Sequence, residues 1–156
     1  MTRVAPLWIV TLLVLGVSAP AVLSLPSQQT PTESEQAQSA FHKGYRHQKA
    51  KRYQEAIEAY EESLQHDPQQ AEALNNLGFC YKSLKRYQKA IGYYQEALSI
   101  NPQLAEAHEY LGEAYLAIGK LALAQREYQT LLALDPKEAK ELKEKLDAAR
   151  GVKETE

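Results

Sequence analysis

The sequence predicts an all-α fold, a solenoid of antiparallel helix pairs, on three observations. Four residue types recur at a fixed interval of 34 residues: Gly44, Gly78 and Gly112; Ala56, Ala90 and Ala124; Tyr60, Tyr94 and Tyr128; Pro68, Pro102 and Pro136. Between these markers apolar residues return at three- and four-residue steps, the spacing of one helix face. Breakers then cut every interval into two helix-length pieces. One such unit cannot bury its apolar face alone, so serial copies must stack into a continuous core, and three copies are about the minimum.

The first element stands apart from the rest. Arg3 is the one charged side chain before Glu33, and Leu7 to Val17 is an apolar run interrupted only by Thr11 and Gly16. That length suits the core of a signal peptide and is too short to span a bilayer by itself. Ala19-Pro20-Ala21 offers a small-residue cleavage site, which makes residues 1–21 a signal peptide and Val22 the new N-terminus. The alternative is an uncleaved anchor from Val4 to Leu25. With a positive charge only before the apolar run, both readings export the remainder.

Residues 22–36 are expected to be a disordered linker. Pro26 to Gln36 holds no apolar residue besides its prolines, too little to offset the entropy of ordering it. Helices are then predicted near 37–50 and 53–66, 71–84 and 87–100, and 105–118 and 121–134, which form repeats 37–70, 71–104 and 105–136. Asp67-Pro68, Asn101-Pro102 and Asp135-Pro136 end the second helix of each pair, because proline disfavours the helical region for its predecessor and lacks an amide donor. Lys51 and Lys85 occupy the turn position of Gly119. If that position is left-handed, each lysine costs about 1 kcal/mol.

The recurring residues are expected to pack. Mid-helix Gly44, Gly78 and Gly112 imply close approach of the paired helix, with Ala56, Ala90 and Ala124 as the small facing partners. Tyr60, Tyr94 and Tyr128 fill the wider gaps between repeats. Residues 137–150 carry a narrow stripe of Ala139, Leu142, Leu146 and Ala149 on a charged helix with Gly151 as its stop, the pattern of a solvating helix that closes a solenoid. Residues 151–156 are a disordered tail.

The second copy carries the fullest motif, Leu74-x2-Leu77-Gly78-x2-Tyr81, Ala90-x3-Tyr94 and Pro102. It resembles the tetratricopeptide repeat in pattern and period. The third copy follows with His108-x2-Leu111-Gly112-x2-Tyr115, Ala124-x3-Tyr128 and Pro136, while the first substitutes Lys43 and His47 for the apolar residues. The resemblance covers residues 37–136 and implies a right-handed superhelix whose first helices line a concave groove that holds peptides. Carried onto this chain, that lining is Gln38, Phe41, His42, Tyr45 and Lys49, then Glu72, Asn75, Asn76, Phe79 and Lys82, then Glu106, Glu109, Tyr110 and Glu113. Asn76 falls where members often use asparagine against a ligand backbone, and Phe41, Tyr45, Phe79 and Tyr110 form an aromatic set. Chaperone-docking members resemble one another in a carboxylate clamp of Lys and Asn, Asn, then Lys and Arg. The matching places here hold Phe41 and Tyr45, Asn76, then Glu106 and Tyr110, so only Asn76 fits, and a glutamate there disfavours a terminal carboxylate.

Composition narrows the function. The 156 residues are 44% hydrophobic, with a formal charge of −2, which argues against nucleic acid as a partner because phosphate contact needs a basic stripe. Cys80 is the single cysteine; set in a predicted helix beside Phe79 and Tyr81, it reads as core rather than as a reactive thiol. His108-Glu109 opens a HExxH-like pattern without its second histidine, and His42 and His47 fall on different helix faces, so no metal site is expected. No phosphate-binding glycine loop or nucleophile elbow occurs, so no catalytic residue and no cofactor is expected. Glu58, Glu61 and Glu62, like Glu141 and Glu144, are solvated helix faces.

These features predict a non-catalytic exported adaptor, periplasmic or secreted, that binds a protein or peptide segment in its groove. A membrane is involved only if the N-terminal segment stays uncleaved. The alternative is an N-terminally anchored assembly subunit that self-associates. The groove is expected to be polarised, with His42 and Lys49 at one end and Glu106, Glu109 and Glu113 at the other, so that an extended ligand is oriented.

Overall fold

The computed structural model describes residues 30–151, in which seven helices follow one another and no strand occurs: α1 (Glu33–Lys49), α2 (Tyr53–His66), α3 (Ala71–Ser83), α4 (Tyr87–Ile100), α5 (Ala105–Ala117), α6 (Leu121–Leu134) and α7 (Pro136–Arg150). The signal or anchor segment, most of the linker and the end of the tail lie outside the described residues. Helices α1 and α2, α3 and α4, and α5 and α6 pack as pairs, and each second helix also packs on the first helix of the next pair. The first helices α1, α3, α5 and the closing α7 approach one another, whereas α2, α4 and α6 do not. The stack therefore curves, with the first helices on its inner face.

The same turn chemistry is used three times. Inside each pair the chain leaves the first helix through a left-handed residue, Lys51 (φ 58°), Lys85 (φ 59°) or Gly119 (φ 73°). The next amide then reaches back to a carbonyl five residues earlier, Arg52 to His47 at 2.9 Å, Arg86 to Tyr81 at 2.8 Å and Lys120 to Tyr115 at 2.8 Å, which satisfies a carbonyl the helix end would leave unpaired. Between pairs, Asp67 and Asn101 each accept a hydrogen bond from the amide two residues on, at 3.1 Å, and so hold a tight turn beside the proline. Asp135 accepts from the amides of both Lys137 (2.9 Å) and Glu138 (3.1 Å). With Pro136 in the first helical position, this junction starts α7 at once.

Three expectations are revised. The linker does not extend to Gln36, because Thr32 and Glu35 form a capping box: the Glu35 amide donates to Thr32 Oγ1 at 3.2 Å and the Thr32 amide to Glu35 Oε2 at 2.8 Å, so α1 begins at Glu33. The glycines do not meet the alanines: two of them meet tyrosine rings and the third a leucine. A Cβ on Gly44 would lie 2.7 Å from Tyr60 Cδ1, one on Gly78 2.6 Å from Tyr94 Cε1, and one on Gly112 2.6 Å from Leu142 Cδ2. At that last position the closing helix takes the place of Tyr128, which is only half-buried. The buried stripe of α7 is Ala139, Leu142 and Leu146; Ala149 is exposed. The core otherwise follows the pattern, with Tyr60, Tyr94, Ile57, Leu77, Leu131 and Cys80 fully buried. Burial pushes the Cys80 thiol up to about 12, which keeps it protonated and unreactive.

Candidate recognition groove

On the inner face the predicted residues separate into two clusters of different character. The first surrounds a pocket of about 300 Å³, near the lower end of the size range of binding sites. Phe41, His42 and Tyr45 enter it from α1, Glu72, Asn75 and Asn76 from α3, and Leu104 and Glu106 from the start of α5. Phe41 is half-buried because its ring packs on Tyr60, with centroids 5.6 Å apart. Tyr45 is 43% exposed, and Lys49 places Nζ 5.0 Å from its ring centroid. Asn75 is only 2% exposed. Its Nδ2 donates to Glu106 Oε2 at 3.5 Å, the long limit of a hydrogen bond, and its Oδ1 has no partner among the described residues. A buried acceptor left unpaired costs about 1–3 kcal/mol.

The second cluster is an ion-pair ladder laid over aromatic rings. Lys82 of α3 and Lys145 of α7 both hold the carboxylate of Glu113 on α5, and Lys145 Nζ also lies 3.6 Å from Glu109. Burial works to raise the Glu113 carboxyl, yet the hydrogen bonds from Lys145 and Lys82 prevail and hold it below the ordinary range. For Glu109, burial and the neighbouring Glu113 raise the carboxyl despite Lys145. Lys82 Nζ sits 4.2 Å from the Tyr110 ring centroid and 5.5 Å from that of Phe79, a geometry in which the ring faces attract the cation. Phe79 and Tyr110 are half-buried, with centroids 5.4 Å apart.

Lys82 has a further consequence beneath the groove. In the first pair the buried Tyr60 hydroxyl donates to Gln48 Oε1 at 2.7 Å. Lys82 stands 34 positions after Gln48 and turns to Glu113 instead, which leaves the buried Tyr94 hydroxyl without a partner among the described residues.

Of the lining expected from sequence, Phe41, His42, Tyr45, Glu72, Asn75, Asn76 and Glu106 border the pocket, and they are unevenly available. Asn75 and Glu109, expected as exposed groove contacts, are buried at 2% and 9% exposure, and of the four aromatics only Tyr45 is exposed. The expected charge polarity is also corrected: two of the three glutamates at the third repeat are engaged by Lys82 and Lys145, so of the three Glu106 alone is in no ion pair among the described residues, and it faces the first cluster. Leu104 and Lys145 were not anticipated. Lys145 lies outside the repeats, where their register carries no information. His108 serves structure, with Nδ1 2.7 Å from Glu127 and Nε2 3.0 Å from the Pro102 carbonyl oxygen.

Tetratricopeptide repeat profiles match residues 71–104 and 93–126, and a TPR repeat profile matches residues 44–85. The chain belongs to the tetratricopeptide repeat (TPR) family. Among solved TPR structures it is similar to the first TPR of Spaghetti (RPAP3) bound to the HSP90 peptide SRMEEVD, at 28% identity and a TM-score of 0.72, covering 77% of this chain and 97% of that one. It is also similar to the second TPR domain of human RPAP3 in complex with the HSP70 peptide SGPTIEEVD, at 26% identity and a TM-score of 0.70, covering 74% and 98%. The Arabidopsis OM64 TPR domain shares the fold at 21% identity and a TM-score of 0.71, covering 74% and 98%. No curated protein matches the chain. The helices of this TPR protein are thus arranged as in TPR domains that have been solved with peptides bound.

Proposed function

We propose that this TPR protein is a non-catalytic exported adaptor that holds an extended protein segment on its concave face. The observation that carries the reading is the pocket between α1, α3 and the start of α5, where an exposed tyrosine, a half-buried phenylalanine and a buried, incompletely bonded asparagine converge. Two TPR structures to which the chain is similar hold peptides that end in EEVD. In this chain Glu106 and Tyr110 stand where the resemblance to chaperone-docking members calls for cations, so a segment ending in a carboxylate is disfavoured. No cluster of three metal-capable side chains occurs among the described residues. The outer face of the first pair is polar, with Lys43 bonded to Glu62 at 3.0 Å and Glu33 to His66 at 2.6 Å, which favours an isolated adaptor over head-to-tail stacking.

The experiment is affinity capture from an envelope fraction of the native host with the parent chain and a Tyr45→Ala, Asn76→Ala variant. A partner retained by the parent and lost with the variant supports the reading. A partner retained equally by both places recognition elsewhere. Export is tested on the same material by intact mass: a chain beginning at Val22 is expected, and a mass that includes residues 1–21 transfers the reading to the anchored form.

A further inference from the structure

We infer that the pocket beside Asn75 is a receptor for an organic cation, a guanidinium or ammonium group carried by the bound segment. This rests on the adaptor reading above and specifies the chemistry of its ligand. Two carboxylates border the pocket, Glu72 from α3 and Glu106 from α5, and neither is in an ion pair among the described residues. Asn75, which also lines the pocket, is 98% buried, and its side-chain oxygen is an acceptor with no partner among the described residues. Its own amide is already committed to Glu106 at 3.5 Å. No lysine or arginine lines the pocket. The second cluster makes the contrast informative: there every groove carboxylate has been given a lysine, Lys82 or Lys145, whereas here the described lining supplies no lysine or arginine and His42 is its one basic side chain.

A group with several N–H donors answers the two carboxylates at once, and reaches the covered Asn75 oxygen if that side chain turns outward. A guanidinium can donate to a carboxylate and to the asparagine oxygen in the same plane, and Phe41 and Tyr45 supply ring faces along its stem. A carboxylate-bearing ligand would meet two negative charges and an unpaired oxygen, which is unfavourable on every count. Glu138 of α7, whose buried Oε2 also lacks a partner among the described residues, is near enough to Glu106 for the two carboxyls to repel each other.

Nuclear magnetic resonance of the full-length protein in mild detergent at low salt provides the test, with the Asn75 side-chain amide as the reporter. The probes are the acetylated, amidated pentapeptide Ser-Gly-Arg-Gly-Ser, the same peptide with neutral citrulline for arginine, and the citrulline peptide with a free amino terminus. The arginine peptide is expected to shift the Asn75 amide and to bind about fivefold or more tightly than the acetylated citrulline peptide. Glu72→Gln combined with Glu106→Gln should erase that difference. If the free-amine citrulline peptide matches the arginine peptide, the cation is supported and its source is a chain start rather than a side chain. Equal shifts from arginine and acetylated citrulline peptides would overturn the cation inference while leaving the groove reading intact. No shift of Asn75 with any of the peptides would overturn it as well, and the capture experiment then judges the groove reading on its own.

Discussion

Gly78 and Tyr94 touch so closely that no side chain fits between them: a Cβ on Gly78 would lie 2.6 Å from Tyr94 Cε1. Alanine normally favours a helix interior over glycine by about 0.5–1 kcal/mol, but overpacking costs about 1–3 kcal/mol. Gly78→Ala should therefore destabilise the fold in urea titrations. Gly92 on the exposed side of α4 meets nothing within 4 Å, and Gly92→Ala should stabilise. The opposite signs separate packing from propensity. Leu77→Ala, one residue before the glycine and 1% exposed, should cost about 2–5 kcal/mol.

Lys85 is held at φ 59° with its turn otherwise matching that of Gly119. Glycine adopts this conformation freely, whereas a side chain pays about 1–2 kcal/mol. Lys85→Gly should raise the urea midpoint, discounted by the wider freedom of glycine in the unfolded chain, and Lys85→Asn should fall between. A loss of stability in Lys85→Gly would mean that the lysine makes a compensating contact.

His108 couples stability to pH. Its two ring nitrogens face acceptors, Glu127 and the Pro102 carbonyl, so the charged ring donates to both and the neutral ring leaves one pair of acceptors opposed. The bond to Glu127 outweighs burial and holds the imidazole above its ordinary value. A raised folded pKa means that the contribution is fully present below the unfolded value, about 6.5, and is lost as pH rises through the folded value. Denaturant midpoints should therefore decline as pH rises from about 6.5, and His108→Gln should flatten that decline.

Much of the fold is legible in the sequence because its signals are local. Asp67-Pro68, Asn101-Pro102 and Asp135-Pro136 close helices through backbone chemistry that any reader of the chain can apply, and apart from the start of α1 the helix bounds follow to within one residue. The start of α1 was also written locally, in Thr32 and Glu35, but a segment without apolar residues looks unstructured until the capping box is recognised. The groove is harder to read because its state depends on contacts across elements. Asn75 and Asn76 are neighbours in sequence, yet a helix turns about 100° between them, and only packing determines which one is buried. Glu109 and Glu113 look like free surface charge until Lys145 arrives from α7, beyond the last repeat.

The central claim, that the concave pocket and not the convex face carries recognition, is tested most directly by photo-crosslinking in the native host. Benzoylphenylalanine replaces His42 on the pocket wall, or Leu64, which lines a separate cavity with Tyr93 and Glu96. A discrete crosslinked partner from position 42 and none from position 64 is the predicted result. Crosslinks from position 64 with none from position 42 would contradict the account.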